Sequence, residues 1–116
     1  MNQILGKSGE KTALRYLEGK GYQLVCQNYR WRSGEIDLIM KMQNTLVFVE
    51  VKTRKTTRYG LPREAVTFAK QKKIYQTALQ YIQRFQIKHL LFRFDVIEVF
   101  AENGEDRINH IERAFY

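Results

Sequence analysis

Residues 34–52 read Gly34-Glu35-Ile36-Asp37-Leu38-Ile39-Met40-Lys41-Met42-Gln43-Asn44-Thr45-Leu46-Val47-Phe48-Val49-Glu50-Val51-Lys52. Two alternating runs, 35–42 and 45–52, are separated by the pair Gln43-Asn44, a spacing that predicts a tight antiparallel hairpin. With those two residues in the turn, Met42 faces Thr45, and every facing pair then follows. Asp37 is expected opposite Glu50, and Glu35 opposite Lys52. Side chains two apart on a strand share a face. One face therefore carries Glu35, Asp37, Glu50 and Lys52, followed by Ile39, Phe48, Lys41 and Leu46. The other carries Ile36, Leu38, Met40, Val47, Val49 and Val51 and is read as the core face.

Two carboxylates facing each other on a sheet, with Cβ atoms about 4.5–5.5 Å apart, repel. Two arrangements offset that repulsion. A hard divalent cation such as Mg²⁺ is held by a few carboxylate oxygens together with waters and phosphate oxygens. Alternatively, Glu35 and Lys52 form a cross-strand ion pair, while Asp37 is solvated or paired with an arginine.

Outward from the hairpin, residues 8–19 read as a helix with Ser8 as N-cap and Ala13, Leu14 and Leu17 as its apolar stripe. Glu10 falls on that inward stripe. It is accounted for either by a partner inside the fold or by the favourable dipole of a helix N-terminus. Residues 22–29 alternate loosely and suggest a first strand, followed by the turn Arg30-Trp31-Arg32-Ser33-Gly34. Residues 52–63 are polar and basic, with Gly60 and Pro62, and read as a loop. A long helix follows, capped by Thr67, with Ile74, Ala78, Leu79, Ile82 and Phe85 as its apolar face. Residues 90–100 read as a further strand, Asn103-Gly104 as a turn and 108–116 as a short edge strand. The order is helix, three strands, helix, strand. A strand–helix–strand succession requires a crossover, so the expected fold is α/β with a mixed central sheet flanked by helices.

The chain has 116 residues, 44% of them hydrophobic, which suits a single domain spanning 1–116. Twenty Lys and Arg stand against 12 Asp and Glu, a formal charge of +8, so a polyanion is the expected partner. Nucleic acid is favoured over membrane, because no apolar run approaches the ~18 residues of a transmembrane span. A lone Cys26 excludes an internal disulfide. With His89 and His110 far apart in sequence, it leaves no zinc motif, and the expected location is cytoplasmic. Arg30, Trp31 and Arg32 lead into the hairpin, and Arg54, Lys55, Arg58, Tyr59 and Arg63 leave it. Both flanks approach the acidic end of the hairpin, where such residues suit phosphate contacts. Trp31 and Tyr59 are candidates for stacking on bases. Lys70, Lys72 and Lys73 lie in the first turns of the long helix, where cations oppose the dipole.

The strings Gly34-Glu35-Ile36-Asp37-Leu38-Ile39 and Phe48-Val49-Glu50-Val51-Lys52-Thr53-Arg54 resemble the YraN family of bacterial proteins. Gly9-Glu10 with Ala13, Glu64-Ala65-Val66 with Lys70, and Phe94-Asp95-Val96 extend the resemblance over nearly the whole chain. That family is regarded as predicted endonucleases related to archaeal Holliday junction resolvases within the PD-(D/E)xK superfamily. The resemblance implies a restriction-endonuclease-like core and Mg²⁺- or Mn²⁺-dependent hydrolysis of phosphodiester bonds in branched or structured DNA. It implies Asp37, Glu50 and the Val51 carbonyl as metal ligands, Glu10 as a further acid touching the metal, and Lys52 beside the attacking water. Lys70 matches a family position and joins the candidate nucleic-acid-binding residues. Ile36 stands where the superfamily motif has proline, as in the resolvase-like branch. DNA is favoured over RNA, and a homodimer is compatible with two-fold substrates. The alternatives on the same scaffold are a non-catalytic nucleic-acid-binding module and a subunit that acts only with a partner.

Overall fold

In a computed structural model, which describes residues 2–54, 66–102 and 104–116, the hairpin forms in the expected register. Strand β2 (Gly34–Met42) pairs antiparallel with β3 (Thr45–Arg54), from Met42 opposite Thr45 to Leu38 opposite Val49. Strand β1 (Gln23–Trp31) precedes them, while β4 (Leu91–Glu102) and β5 (Glu105–Phe115) follow. The strands lie side by side in chain order. Only β3 and β4 run parallel, joined by helix α2 (Phe68–Arg84). The mixed sheet flanked by helices is thus present and is compatible with a restriction-endonuclease-like core.

Both faces of the hairpin are buried, not one. Leu38, Met40, Val47 and Val49 pack under Ala13 and Leu17 of helix α1 (Asn2–Gly19). Ile39, Leu46 and Phe48 pack under Ile74, Ala78 and Tyr81 of α2. The face that carries the acids is therefore a second core, because α2 crosses over it. Each fully buried aliphatic or aromatic side chain contributes roughly 1.5–3 kcal/mol, so both layers are needed to hold the two helices.

Helix boundaries also differ from expectation. α1 begins at Asn2, so Ser8 is interior and Glu10 lies beyond the first two turns, too deep for the terminal dipole to account for it. α2 keeps its Thr67 cap, whose hydroxyl accepts from the Lys70 N–H at 3.2 Å. Its buried face is Ile74, Thr77, Ala78 and Tyr81, spaced by three and four residues, whereas Leu79 and Phe85 are exposed. Leu79 sits one position off that stripe, a rotation of about 100°. β3 continues through Arg54, two residues past its expected end, and β5 begins three residues ahead of the expected edge strand. Asn103 and residues 55–65 lie outside the described residues, among them Lys55, Arg58, Tyr59, Arg63, Glu64 and Ala65. No described helix is long and apolar enough to cross a membrane.

The site is made by a coordinated break in two strands. Tyr29 and Ile36, a facing pair, belong to the α2 side, whereas Leu38, two residues after Ile36, belongs to the α1 side. Regular pleating would keep Ile36 and Leu38 together. The switch falls between the pairs Gln27–Leu38 and Tyr29–Ile36, which places Asn28 directly across from Asp37. Asn28 has φ 53°, a left-handed conformation that asparagine tolerates better than most residues. The Leu38–Met42 register was legible in the alternation; this break, which leaves the expected Asp37–Glu50 and Glu35–Lys52 pairs outside the ladder, was not.

Candidate metal and phosphodiester site

The ladder between β2 and β3 stops at Leu38 and Val49. Beyond it, the Asp37 carboxylate accepts a hydrogen bond from the Val51 N–H at 2.8 Å, replacing a backbone bond with a side chain. This pins the carboxylate between the two strands, where acids from both helical layers meet. From the α1 side come Glu10 and Glu35: one oxygen each of Glu10, Glu35 and Asp37 lies within 4.8 Å of the others. The Asn28 amide, with its nitrogen turned toward the acids, donates to Glu10 Oε1 and Glu35 Oε1 at 3.0 Å each. Gly9 lets α1 approach this end of β3, since a Cβ there would overlap the Thr53 hydroxyl.

From the α2 side, Glu50 is 5% exposed and is met by Lys70 at 3.0 Å and Lys52 at 3.7 Å. Burial raises the Glu50 carboxyl to about 7, with the nearby Asp37 charge adding to the shift and the two lysines opposing it. Burial likewise raises Asp37 to about 6, against the Val51 hydrogen bond, with Glu10 and Glu35 pushing the same way. Lys52 is lowered by burial and by its neighbour Lys70. Lys70 is itself opposed by burial, yet is raised by its contacts with Lys52 and Glu50. The site thus contains more negative charge than its own cations offset.

Of the residues named from sequence, Glu10 and Asp37 share a cluster, the Val51 N–H bonds Asp37, and Glu50, outside that cluster, is met by Lys52. Glu35 also belongs to the acid cluster. Its ion pair is with Arg30 at 3.1 Å, not with Lys52, because β2 leaves β3 before the Glu35–Lys52 pairing would form. Lys70 lies on Glu50. Trp31 is exposed at the end of β1 with the Arg32 guanidinium 5.9 Å from its ring, and Arg54 closes β3 half-buried. Sequence reasoning missed Asn28. The available signal was an asparagine facing Asp37 across a loosely alternating strand.

The donor set fits a hard divalent cation: it is all oxygen, clustered, partly buried and electrostatically under-compensated. Residues 9–99 match the model of the "Uncharacterised protein family UPF0102". A UPF0102 protein of Caldicellulosiruptor saccharolyticus is 43% identical over 113 residues, covering 96% of each chain. One from Clostridioides difficile is 46% identical over 114 residues, 98% of each chain. Another from Alkaliphilus oremlandii is 45% identical over 117 residues, 99% of this chain and all of the relative. With its family model and relatives matching along nearly its whole length, the chain belongs to the UPF0102 (YraN) family.

Proposed function

We propose that the protein is a metal-dependent endonuclease that hydrolyses phosphodiester bonds, with DNA as its substrate. The observation carrying this reading is the meeting of Glu10, Glu35 and Asp37 at one strand break, with Glu50 close enough to feel the Asp37 charge and Lys52 on Glu50. Asp37, Glu50, Glu10 and the Val51 carbonyl are the groups that would hold Mg²⁺ or Mn²⁺, joined by Glu35. When bound, such a cation lowers the pKa of water and offsets charge on phosphate oxygens.

The chain's own residues supply the remainder. The Val51 N–H fixes the Asp37 carboxylate, so its geometry does not depend on the ligand. Asn28 holds Glu10 and Glu35 side by side against their mutual repulsion. Lys70 neutralises part of the Glu50 charge. Lys52, displaced below the usual lysine range, holds or takes up a proton where the attacking water would stand. The net charge of +8 favours approach of a polyanion at low ionic strength.

Calorimetric titration with Mn²⁺ should give saturable binding in the wild type and none in Asp37→Ala. Branched and duplex DNA should be cut with Mg²⁺ or Mn²⁺ by the wild type, and by neither Asp37→Ala nor Lys52→Ala. Silence in both measurements would sink the proposal. Tight, salt-dependent DNA binding without cleavage, unchanged in Asp37→Ala, would instead identify a binding module.

A further inference from the structure

A cleft lies between the β1–β2 turn and the first two turns of α2, on the other side of the Gly34–Glu35 segment from Glu10. It is a cavity of about 250 Å³, bordered by that segment on one wall and by Thr67, Ala69, Lys70 and Lys73 on the other. The walls are tied together. The Thr77 hydroxyl donates to the Lys73 carbonyl at 2.8 Å, which leaves Ser33 to donate to Thr77 Oγ1 at 2.7 Å. Thr77 is fully buried, so the turn and the helix hold their spacing before any ligand arrives.

The chemistry of the rim is that of a nucleotide. Lys73 is exposed and makes no ion pair with the described residues, while Lys70 at the inner end joins the cleft to Glu50. Trp31 pairs with Gly34 across the turn. It stands two residues beyond Tyr29, whose ring packs on the α2 side, so Trp31 projects toward the same side. It remains 44% exposed. The structure therefore places an exposed cation and a small preformed cavity beside Glu35 of the acid cluster, with Trp31, which does not itself line the cavity, paired to Gly34 of its wall.

We infer that this cleft is a subsite for one unpaired nucleotide flanking the phosphate at the acid cluster. Lys73 contacts its backbone and Trp31 stacks on its base. The inference rests on the proposed function for the position of that phosphate, and it adds a substrate class: DNA with an unpaired nucleotide at the point of attack. An intact duplex has its base faces occupied by neighbouring pairs and offers nothing to Trp31.

Trp31 is the only tryptophan, so its fluorescence reports the surroundings of the strand end that pairs with the Gly34 wall of the cleft. In EDTA, where no cleavage occurs, a duplex carrying a single-nucleotide bulge should quench it, and the same duplex without the bulge should bind with little quenching. Trp31→Ala and Lys73→Glu, followed by anisotropy of labelled DNA, should each weaken the bulged duplex by about tenfold more than the intact one. Phe68→Ala is the control. Phe68 is 75% exposed and lies on the opposite side of α2 from Lys70, so both affinities should stay at wild-type values. Equal quenching by both duplexes, or equal losses on both, would overturn the subsite. Because no metal is present, these outcomes are independent of Mn²⁺ binding, which tests the acid cluster alone.

Discussion

The carboxylate of Asp95 and those of Asp37 and Glu50, all taken out of water by the same sheet, are treated in opposite ways. Asp95 of β4, which pairs with Val49, is fully buried on the α1 side. It accepts two bonds from Arg93, at 2.8 and 2.9 Å, one from the Arg113 N–H at 3.1 Å, and lies 2.7 Å from His110 Nε2. Burial raises its pKa, but the bonds from His110, Arg93 and the Arg113 N–H outweigh that and hold it below the ordinary carboxylate range. One residue further along β3, Glu50 is displaced upward together with Asp37. Burial is common to both places. The difference is that Asp95 sits among donors of the fold that outweigh its burial, whereas Asp37 faces other acids and the two lysines on Glu50 do not outweigh its burial and the Asp37 charge. The first arrangement holds β4, β5 and Tyr22 together; the second stores a charge imbalance that an external cation relieves.

The comparison breaks most directly at Asp95. Asp95→Ala leaves Arg93 buried without its main partner and should cost about 3–5 kcal/mol, read by urea denaturation. Asp37→Asn, by contrast, should leave the apoprotein as stable as wild type or more so at pH 8, because it removes a charge facing Glu10, Glu35 and Glu50. A large loss there would end the contrast.

Acidity separates the two groups next. Between the unfolded carboxylate values near 4 and the folded values of about 6 for Asp37 and 7 for Glu50, the native state binds more protons than the unfolded chain. Stability therefore falls as pH rises through that window, by about 1–3 kcal/mol. Asp95 contributes in the opposite sense. Its stabilisation is present above the unfolded value and is lost as pH falls through the lower folded value. Thermal melts in EDTA should thus peak at about pH 4 and decline on both sides. Saturating Mn²⁺ should raise the midpoint at pH 8 far more than at pH 5, and not in Asp37→Asn. A flat profile from pH 5 to 8 would contradict the charge imbalance.

A smaller effect should sharpen the role of the strand break. Asn28→Ala puts a residue that disfavours φ 53° at the break and removes the amide between Glu10 and Glu35, with an expected loss of about 1–2 kcal/mol in EDTA. Asn28→Gly accommodates the backbone, so it should cost less while weakening Mn²⁺ binding to a similar extent as Asn28→Ala. The smallest effect is expected at Gly9. Gly9→Ala crowds the Thr53 hydroxyl and should cost about 1 kcal/mol by the same denaturation measurement, unless Thr53 is shortened to alanine as well.

Local pattern made the hairpin legible, down to the facing of Met42 and Thr45, because a two-residue turn and a period of two leave one register that buries the apolar set. It also pointed to Asp37, Glu50 and Lys52 as companions, whereas Glu10 joined them only through the family resemblance. It could not reveal that the opposite face was a second core, since Ile39, Phe48 and Leu46 become buried only when α2 lies across them. Nor could it reveal the Arg30–Glu35 pair, the placement of Lys70 on Glu50, or the donors gathered around Asp95 from β4 and β5.

The sequence by itself determined which segments alternate, where the hairpin turns and which acids lie near its end, because these depend on neighbours along the chain. Only the tertiary structure decided how the end of the hairpin opens. The left-handed Asn28 and the Val51 bond to Asp37 redirect β2 away from β3, and the helices then bring Glu10 and Lys70 to the gap from opposite sides. Charges interact through space, so whether an acid is compensated or left for a ligand is settled by residues far apart in sequence.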